Sequence, residues 1–440
     1  MKLAGALMLA VLAAAAVCQR KAGEKNMPEI RLLEGLKATV MTPAATPIRP
    51  GVAAPAPAAA KPGGTGYICP FANAAANSRS SFGLMEGELK PRWSVDLPAS
   101  LSPRFVLQDR DRVLLYGGEW ILLDMQGRTI TSGVSAGWPA TLDMAHELFY
   151  RMISSGHMAA ARTADGSMRF TQLPSQGDVF SRRLIVRRGD RILVAGNERA
   201  LKPLDRGPKA EMRSTVDAVD VAEPIKTSSM GTLRPTAPEK MLYLPSEKIQ
   251  FAATDQLVAA AAPGRIYIID WNLQVPRTLE GSFEPLAMSL DETGRIYLVV
   301  KREGQADALW LITPEGALVY SFEFPQGTPA LDLPPIVAYD HRVYLIAGRQ
   351  ILSLGVDGKL NWTRPTEGPV GGAVALPDGR LLVSEGEWIA VWDAEGKRTN
   401  LYRAQGEMFR TAPVPAASGD ILAATATHLY CLTARRVGRP

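Results

Sequence analysis

The stretch His341-Arg-Val-Tyr-Leu-Ile-Ala-Gly-Arg-Gln-Ile-Leu-Ser-Leu-Gly-Val-Asp-Gly-Lys-Leu-Asn-Trp362 decides the fold. It reads as an apolar strand opened by Arg, a short break, a second apolar strand, an Asp-Gly turn, and a third strand ending in Trp. Gly379-Arg-Leu-Leu-Val-Ser-Glu-Gly-Glu-Trp-Ile-Ala-Val-Trp-Asp-Ala-Glu-Gly396 repeats the same grammar. Working outward, equivalent positions just before such a strand fall at Arg112, Glu147, Arg191, Gln256, Arg295, Arg342, Arg380 and Asp420. They recur at steps of about 35 to 47 residues, with one step of about 65 after Arg191; strand repeats of this period are propeller blades. The expectation is an all-β, eight-bladed β-propeller of four-stranded antiparallel blades, or a seven-bladed one if the degraded second and third copies do not both stand. Gly with Asp or Glu punctuates the repeats at Asp165-Gly166, Glu315-Gly316, Asp357-Gly358 and Glu395-Gly396. These residues suit the positive φ of hairpin turns.

The last copy stops soon after His428-Leu-Tyr-Cys-Leu-Thr433 and lacks a clear fourth strand. Pro91-Arg-Trp-Ser-Val-Asp-Leu-Pro98 reads as an orphan fourth strand, with Trp93 in the place that Trp362 holds in its own unit. An N-terminal strand is therefore expected to complete the last blade and close the ring, which removes an exposed sheet edge.

Copies such as Leu-Gly-Val-Asp-Gly-Lys-Leu-Asn-Trp and Val-Trp-Asp-Ala-Glu-Gly-Lys resemble the quinoprotein-type (PQQ-like) propeller repeat across residues 91–434. With its signal and its size, the chain also resembles the propeller lipoproteins of the outer-membrane β-barrel assembly machinery. That resemblance implies a non-catalytic scaffold for envelope proteins. Quinone-dependent dehydrogenases of the first family resemble one another in an adjacent Cys-Cys pair and Ca²⁺ ligands. This sequence has no adjacent cysteines, no calcium-loop spacing and no Cys-x-x-Cys-His, so no cofactor, catalytic residue or metal site is assigned.

Met1-Lys2 and the apolar run Leu3 to Val17 read as a signal peptide, too short for a comfortable membrane span. The run meets Cys18 directly, as in lipoprotein signals, so residues 1–18 are read as a signal with Cys18 as the lipidated residue; plain secretion after Ala16 is the other reading. Residues 19–90 are expected to be a disordered tether rich in Pro and Ala, with weak helical periodicity through Ile30, Leu33, Leu36 and Val40. Residues 435–440 form a tail. Cys69 precedes the closing strand and Cys431 lies in the blade it joins. The two form either a disulfide that staples the ring or two independent thiols.

The net charge of +5 over 440 residues is too diffuse to argue for nucleic acid. His146, His157, His341 and His428 occupy repeat-equivalent places and share no metal-binding spacing. Trp120 and Trp388 head near-identical strands and are expected to pack between blades. Two features depart from the repeat. Arg182-Arg-Leu-Ile-Val-Arg-Arg-Gly-Asp-Arg191 concentrates guanidiniums, with Arg182, Arg183, Arg187 and Arg188 as a candidate partner-binding set. The long step is read as an inserted loop over 202–240, on the binding face of a monomeric propeller. The expected partners are envelope proteins, with the lipid anchor holding the chain to a bacterial membrane facing the periplasm or the surface. A glycan- or small-ligand-binding module and a secreted enzyme are the alternative functions.

Overall fold

The computed structural model describes residues 30–32 and 79–434, except 85–86, 135–139, 144–146, 153–157, 173–177, 189–190, 201–210, 221–239, 245–248, 255, 272–274, 330 and 332. Within 170–248 only the backbone is described. Cys18, Cys69, His146, His157 and the tail 435–440 lie outside the described residues.

All described regular elements are strands, and they form eight sheets: seven of four strands and one of five. Each sequence anchor stands at or just before the second strand of its own sheet. Blade 1 comprises Phe105–Asp109, Arg112–Tyr116, Glu119–Asp124 and Thr129–Val134, and blade 2 runs from Ala140–Asp143 to Met168–Gln172. Blades 3 to 7 follow, with first strands Asp178–Arg188, Gln250–Ala253, Glu284–Leu290, Ile336–Val337 and Val370–Ala375. Blade 8 has Val414–Pro415, Ile421–Ala424 and His428–Ala434. Its fourth strand is Leu89–Asp96, antiparallel to His428–Ala434 with Trp93 opposite Cys431 and Asp96 opposite His428.

The burial pattern explains the layering. In blade 5 the second and third strands, Ile296–Lys301 and Ala308–Ile312, are buried on both faces apart from Lys301. The fourth, Leu318–Glu323, alternates between half-buried and exposed. Central strands pressed between neighbouring sheets must be apolar on both sides, whereas an outer strand has water on one. First strands touch one another from blade 8 round to blade 7. Blade 7 meets blade 8 where the Ser384 hydroxyl donates to Thr411 O (2.7 Å).

The joints share one device. Trp362, on the fourth strand of blade 6, lies over Gly396 in the third turn of blade 7 and donates its indole N–H to Ala394 O (2.8 Å). Trp93 of blade 8 does the same over Gly127 of blade 1, donating to Met125 O (3.0 Å). Both glycines have positive φ, 77° and 81°, and a Cβ on either would come within 2.9 Å of the indole.

Three expectations need correction. Residues 202–240 are not one inserted loop: Glu211–Asp220 pairs with Arg191–Ala200 and with Lys240–Leu244 as the third strand of blade 3. The blade's first three strands run to 11, 10 and 10 residues, so part of the long step is strand length. The β-branched, alternating run Ser214-Thr-Val-Asp-Ala-Val219 satisfies its backbone better in a sheet than in a loop. Second, the tether does not reach residue 90. Arg79 to Leu84 pack on the propeller and Leu89 already pairs with Ala434. Third, Ile30–Leu32, read as weakly helical, forms a fifth strand parallel to Arg277–Glu280 at the outer edge of blade 4. An outer edge offers unpaired backbone groups that an extended segment satisfies.

Gly127→Ala should destabilise the chain by about 2–4 kcal/mol, from the left-handed backbone and the clash with Trp93. The check is urea unfolding. The midpoint should fall with the slope unchanged, and an unchanged midpoint would remove the Trp93 joint as a stabilising contact.

Candidate interaction faces

The turns between first and second strands form one face of the ring. Their sequences carry Asp near Arg, and the structure pairs them in blades 5 to 7: Asp291–Arg295 (2.7 Å), Asp340–Arg342 (3.3 Å) and Asp378–Arg380 (2.6 Å). In blade 8 Asp420 takes its partner from the N-terminal strand, Arg92 (2.9 Å). Here Asx geometry folds the turn and the Arg neutralises the Asp that folds it.

The cluster at blades 5 and 6 is the most deeply built. The Asp291 side chain is fully buried and accepts hydrogen bonds from the Thr293 hydroxyl (2.6 Å), Arg295 Nε (2.7 Å) and Tyr297 OH (3.3 Å). Burial alone would raise its pKa, but the Thr293 and Arg295 hydrogen bonds override it and hold the carboxyl below its ordinary range. Burial pushes the Tyr297 phenol upward. Arg295 Nη2 lies 2.6 Å from His341 Nδ1, across the joint to blade 6. Burial, and then the Arg295 charge, lower the His341 pKa, so the imidazole accepts from the guanidinium as the neutral ring.

An N-terminal segment crosses this face. Arg79, 6% exposed, donates from Nε to Val337 O (2.5 Å) and from Nη2 to Ala338 O (2.7 Å), and pairs through Nη1 with Glu292. Its guanidinium stands 4.9 Å from the centre of the Tyr339 ring. Ser80 N–H donates to Ala375 O (2.9 Å) and Tyr339 OH donates to Ser80 O (3.2 Å).

The opposite face, made by the turns between second and third strands, carries a second polar group at blades 7 and 8. Buried Glu385 pairs with Arg398, which also reaches Glu367 (2.7 Å). Trp388 was expected between blades; instead Arg403 and Arg398 of its own blade lie over it, at 5.3 and 5.9 Å. It opens its strand at the turn, where Arg398 and Arg403 of the fourth strand cover it. Trp120 does pack between blades, 5.1 Å from Phe149 of blade 2. His428 joins Glu407 (2.8 Å) to Asp96 (3.2 Å) at the end of the N-terminal strand.

Arg182, Arg183, Arg187 and Arg188 lie on Asp178–Arg188, the innermost strand of blade 3, where Arg182 is opposite Gly196 and Arg188 opposite Arg191. The set is two pairs: Arg182 and Arg187 stand about 17 Å apart along the strand, Arg187 and Arg188 near the first turn and Arg182 and Arg183 toward the other face. Cys431 is fully buried and has no disulfide partner among the described residues; burial and the Asp420 charge push its thiol up to about 12. Among the described residues no group of three or more His, Cys, Asp or Glu could hold a metal ion, and no helix is long and apolar enough to cross a membrane. The Arg79 contacts escaped sequence reading because their partners come from three different blades.

No protein-family model matches the chain, and no curated protein sequence does. Solved structures do. BamB from Moraxella catarrhalis is similar at 12% identity and a TM-score of 0.52, over 80% of this chain and 99% of that one. A quinohemoprotein alcohol dehydrogenase from Pseudomonas putida HK5 matches at 10% identity and a TM-score of 0.57, over 86% and 81%. The computationally designed Ika8 protein matches at 10% identity and a TM-score of 0.52, over 79% and 100%. The chain shares the propeller fold of these proteins.

Two outcomes test the site chemistry. With its pKa held below the unfolded value of about 6.5, His341 favours folding as the neutral ring. As pH falls below that value the unfolded chain takes up its proton first. This contribution is therefore full above about pH 6.5 and is lost through the folded pKa. Chemical denaturation of His341→Asn, which tolerates the same φ of 61°, should show a smaller loss of stability from pH 7 to 5 than the wild type. For Cys431, a thiol near 12 has roughly a thousandfold less thiolate than an ordinary one. Maleimide at pH 8 should label Cys431 only after unfolding, without reductant. Label that appears only after reduction would instead establish the Cys69–Cys431 bridge.

Proposed function

We propose that this chain is a lipid-anchored docking scaffold of the bacterial cell envelope, non-catalytic, whose partners are envelope proteins engaged in outer-membrane assembly. The observation that carries this reading is the use made of a blade edge: the outer strand of blade 4 takes up the extended segment Ile30–Leu32. Strand addition of this kind is a general mode of peptide recognition. Outer strands elsewhere expose apolar side chains suited to a protein contact, with Val134 at 76% and Leu360 at 42%. The likeness to BamB over nearly its whole length supports the same reading coarsely. The dehydrogenase shares the scaffold, but chemistry resides in sites grafted on folds, and the adjacent-cysteine signature of such enzymes does not occur in this sequence.

In this reading Cys18 carries the lipid and the segment after it spaces the propeller from the membrane. One acyl chain binds only marginally, so the several chains of a lipoprotein cysteine supply the stable anchor. The elongated strands of blade 3, with Arg182 and Arg183 toward one face and Arg187 and Arg188 toward the other, are the proposed partner contact.

Cys18→Ser should shift the protein from the membrane to the soluble fraction on cell fractionation. Cross-linking in the native envelope followed by mass spectrometry should recover outer-membrane assembly proteins. Membrane association unchanged by Cys18→Ser would refute the anchor. Replacing Arg182, Arg183, Arg187 and Arg188 by Gln should reduce the cross-link yield most at low salt, where exposed charges are least screened. An unchanged yield would move the contact to another face.

A further inference from the structure

The contacts of Arg79 describe a receptor as well as a residue. Val337 O and Ala338 O are held by blade 6 itself: Val337 pairs with Val343, and Ala338 N–H donates to Arg342 O (2.9 Å). Glu292 is carried by the first turn of blade 5, and its side chain is 55% exposed. Tyr339, 43% exposed, supplies an aromatic face. Ala375 of blade 7 offers a backbone edge, which pairs in parallel with Arg79. The backbone of each group is carried by a strand or turn of its own blade. Together they present two carbonyl acceptors, a carboxylate and a ring to one planar fork of donors. That set fits a guanidinium and leaves a compact ammonium short of donors in the required directions. Burying the charge is tolerated because each edge of the fork is met.

We propose that this cleft between blades 5, 6 and 7 is a binding site for an arginine side chain presented on an extended segment. In the resting chain Arg79 and Ser80 fill it in cis. When they are displaced, an arginine-bearing segment of a partner protein takes the same contacts. The chemistry of the ligand is defined by the occupant seen: an Arg followed by a backbone N–H that reaches Ala375 O, and a carbonyl that accepts from Tyr339 OH. The cis occupant is a short stretch, from Arg79 to Leu84, whose side chain packs against the core of blades 7 and 8. Displacement therefore needs to free only a short stretch and leaves the Leu89–Asp96 strand in its sheet. The site stands whether or not the chain is lipid-anchored.

The test uses the full chain carrying Arg79→Ala and Ser80→Pro, which remove the guanidinium and the N–H to Ala375 O. The probe is a fluorescein-labelled peptide with the sequence Asn-Ser-Arg-Ser-Ser-Phe-Gly-Leu of residues 77–84, followed by fluorescence anisotropy. Saturable binding is expected to the variant and at least about tenfold weaker binding to the wild type, whose site is filled. Adding Glu292→Gln to the variant, or replacing the peptide's Arg by Lys, should each weaken binding about tenfold. No saturable binding to the folded variant overturns the proposal. So does binding indifferent to Glu292→Gln and to Arg-to-Lys, or wild-type binding as tight as the variant's. If the double variant does not fold, the titration on Arg79→Ala alone decides by the same criteria. In the unlabelled wild type, Glu292→Gln should speed amide exchange at Ser80 while leaving Val95 unchanged; unaltered exchange at Ser80 also counts against the site.

Discussion

The ring depends on how one blade seats on the next. At the joint from blade 6 to 7, and again from 8 to 1, an indole on a fourth strand covers a positive-φ glycine in the following blade's last turn. Thr131 over Gly166, Leu279 over Gly316 and Tyr320 over Gly358 repeat the arrangement with other side chains. The glycine is required twice over, by the turn's φ and by the space the side chain takes. The joint into blade 1 uses Trp93, which belongs to the N-terminal strand. The packing of the first blade against the last thus depends on a strand that precedes the propeller in sequence and lies in its final sheet.

Where the chain meets the outside follows from the same geometry. Second and third strands are buried on both sides, so their side chains are committed to packing. In blades 5 to 8 the charged pairs gather at the turns of the two faces and at the strand ends beside them. On one face, turn Asp residues are matched with Arg, and the N-terminal segment is laid across blades 5 to 7 through Arg79. On the other, Glu385 pairs with Arg398 inside blade 7, and His428 of blade 8 joins Glu407 to Asp96 of the N-terminal strand. The segment before the propeller is therefore fastened at both faces, by Arg79 and by Asp96.

Burial decides the state of the groups on these faces. Asp291 has a fully buried carboxyl that stays charged because three donors converge on it. His341, across the joint in the next blade, lies 2.6 Å from Arg295 Nη2 and is held neutral against it. Arg79 lies in the same field, and its charge acts on both Tyr297 and His341. A polar network of this density is sensitive to removal of any one member, since the others stay in low dielectric.

The blade count, the second strand of every blade and the N-terminal strand of blade 8 were legible in the sequence. Each rests on local chemistry: apolar runs of strand length, Gly at turns, and Trp93 in the place of Trp362. Within blade 3, residues 202–240 were misread as an inserted loop because the apolar signal of Glu211–Asp220 is dilute, and pairing with neighbours, not composition, stabilises that strand. The Arg cluster was visible as composition, yet its division into two pairs follows from strand rise. What the tertiary structure alone decided is the pairing of distant groups: Arg79 with Glu292, Val337, Ala338 and Ala375, and Trp388 with its own blade's Arg398 and Arg403. Repeat periodicity determines each blade from nearby residues. Contacts between blades depend on how the ring brings residues hundreds of positions apart to one edge, and no local pattern carries that distance.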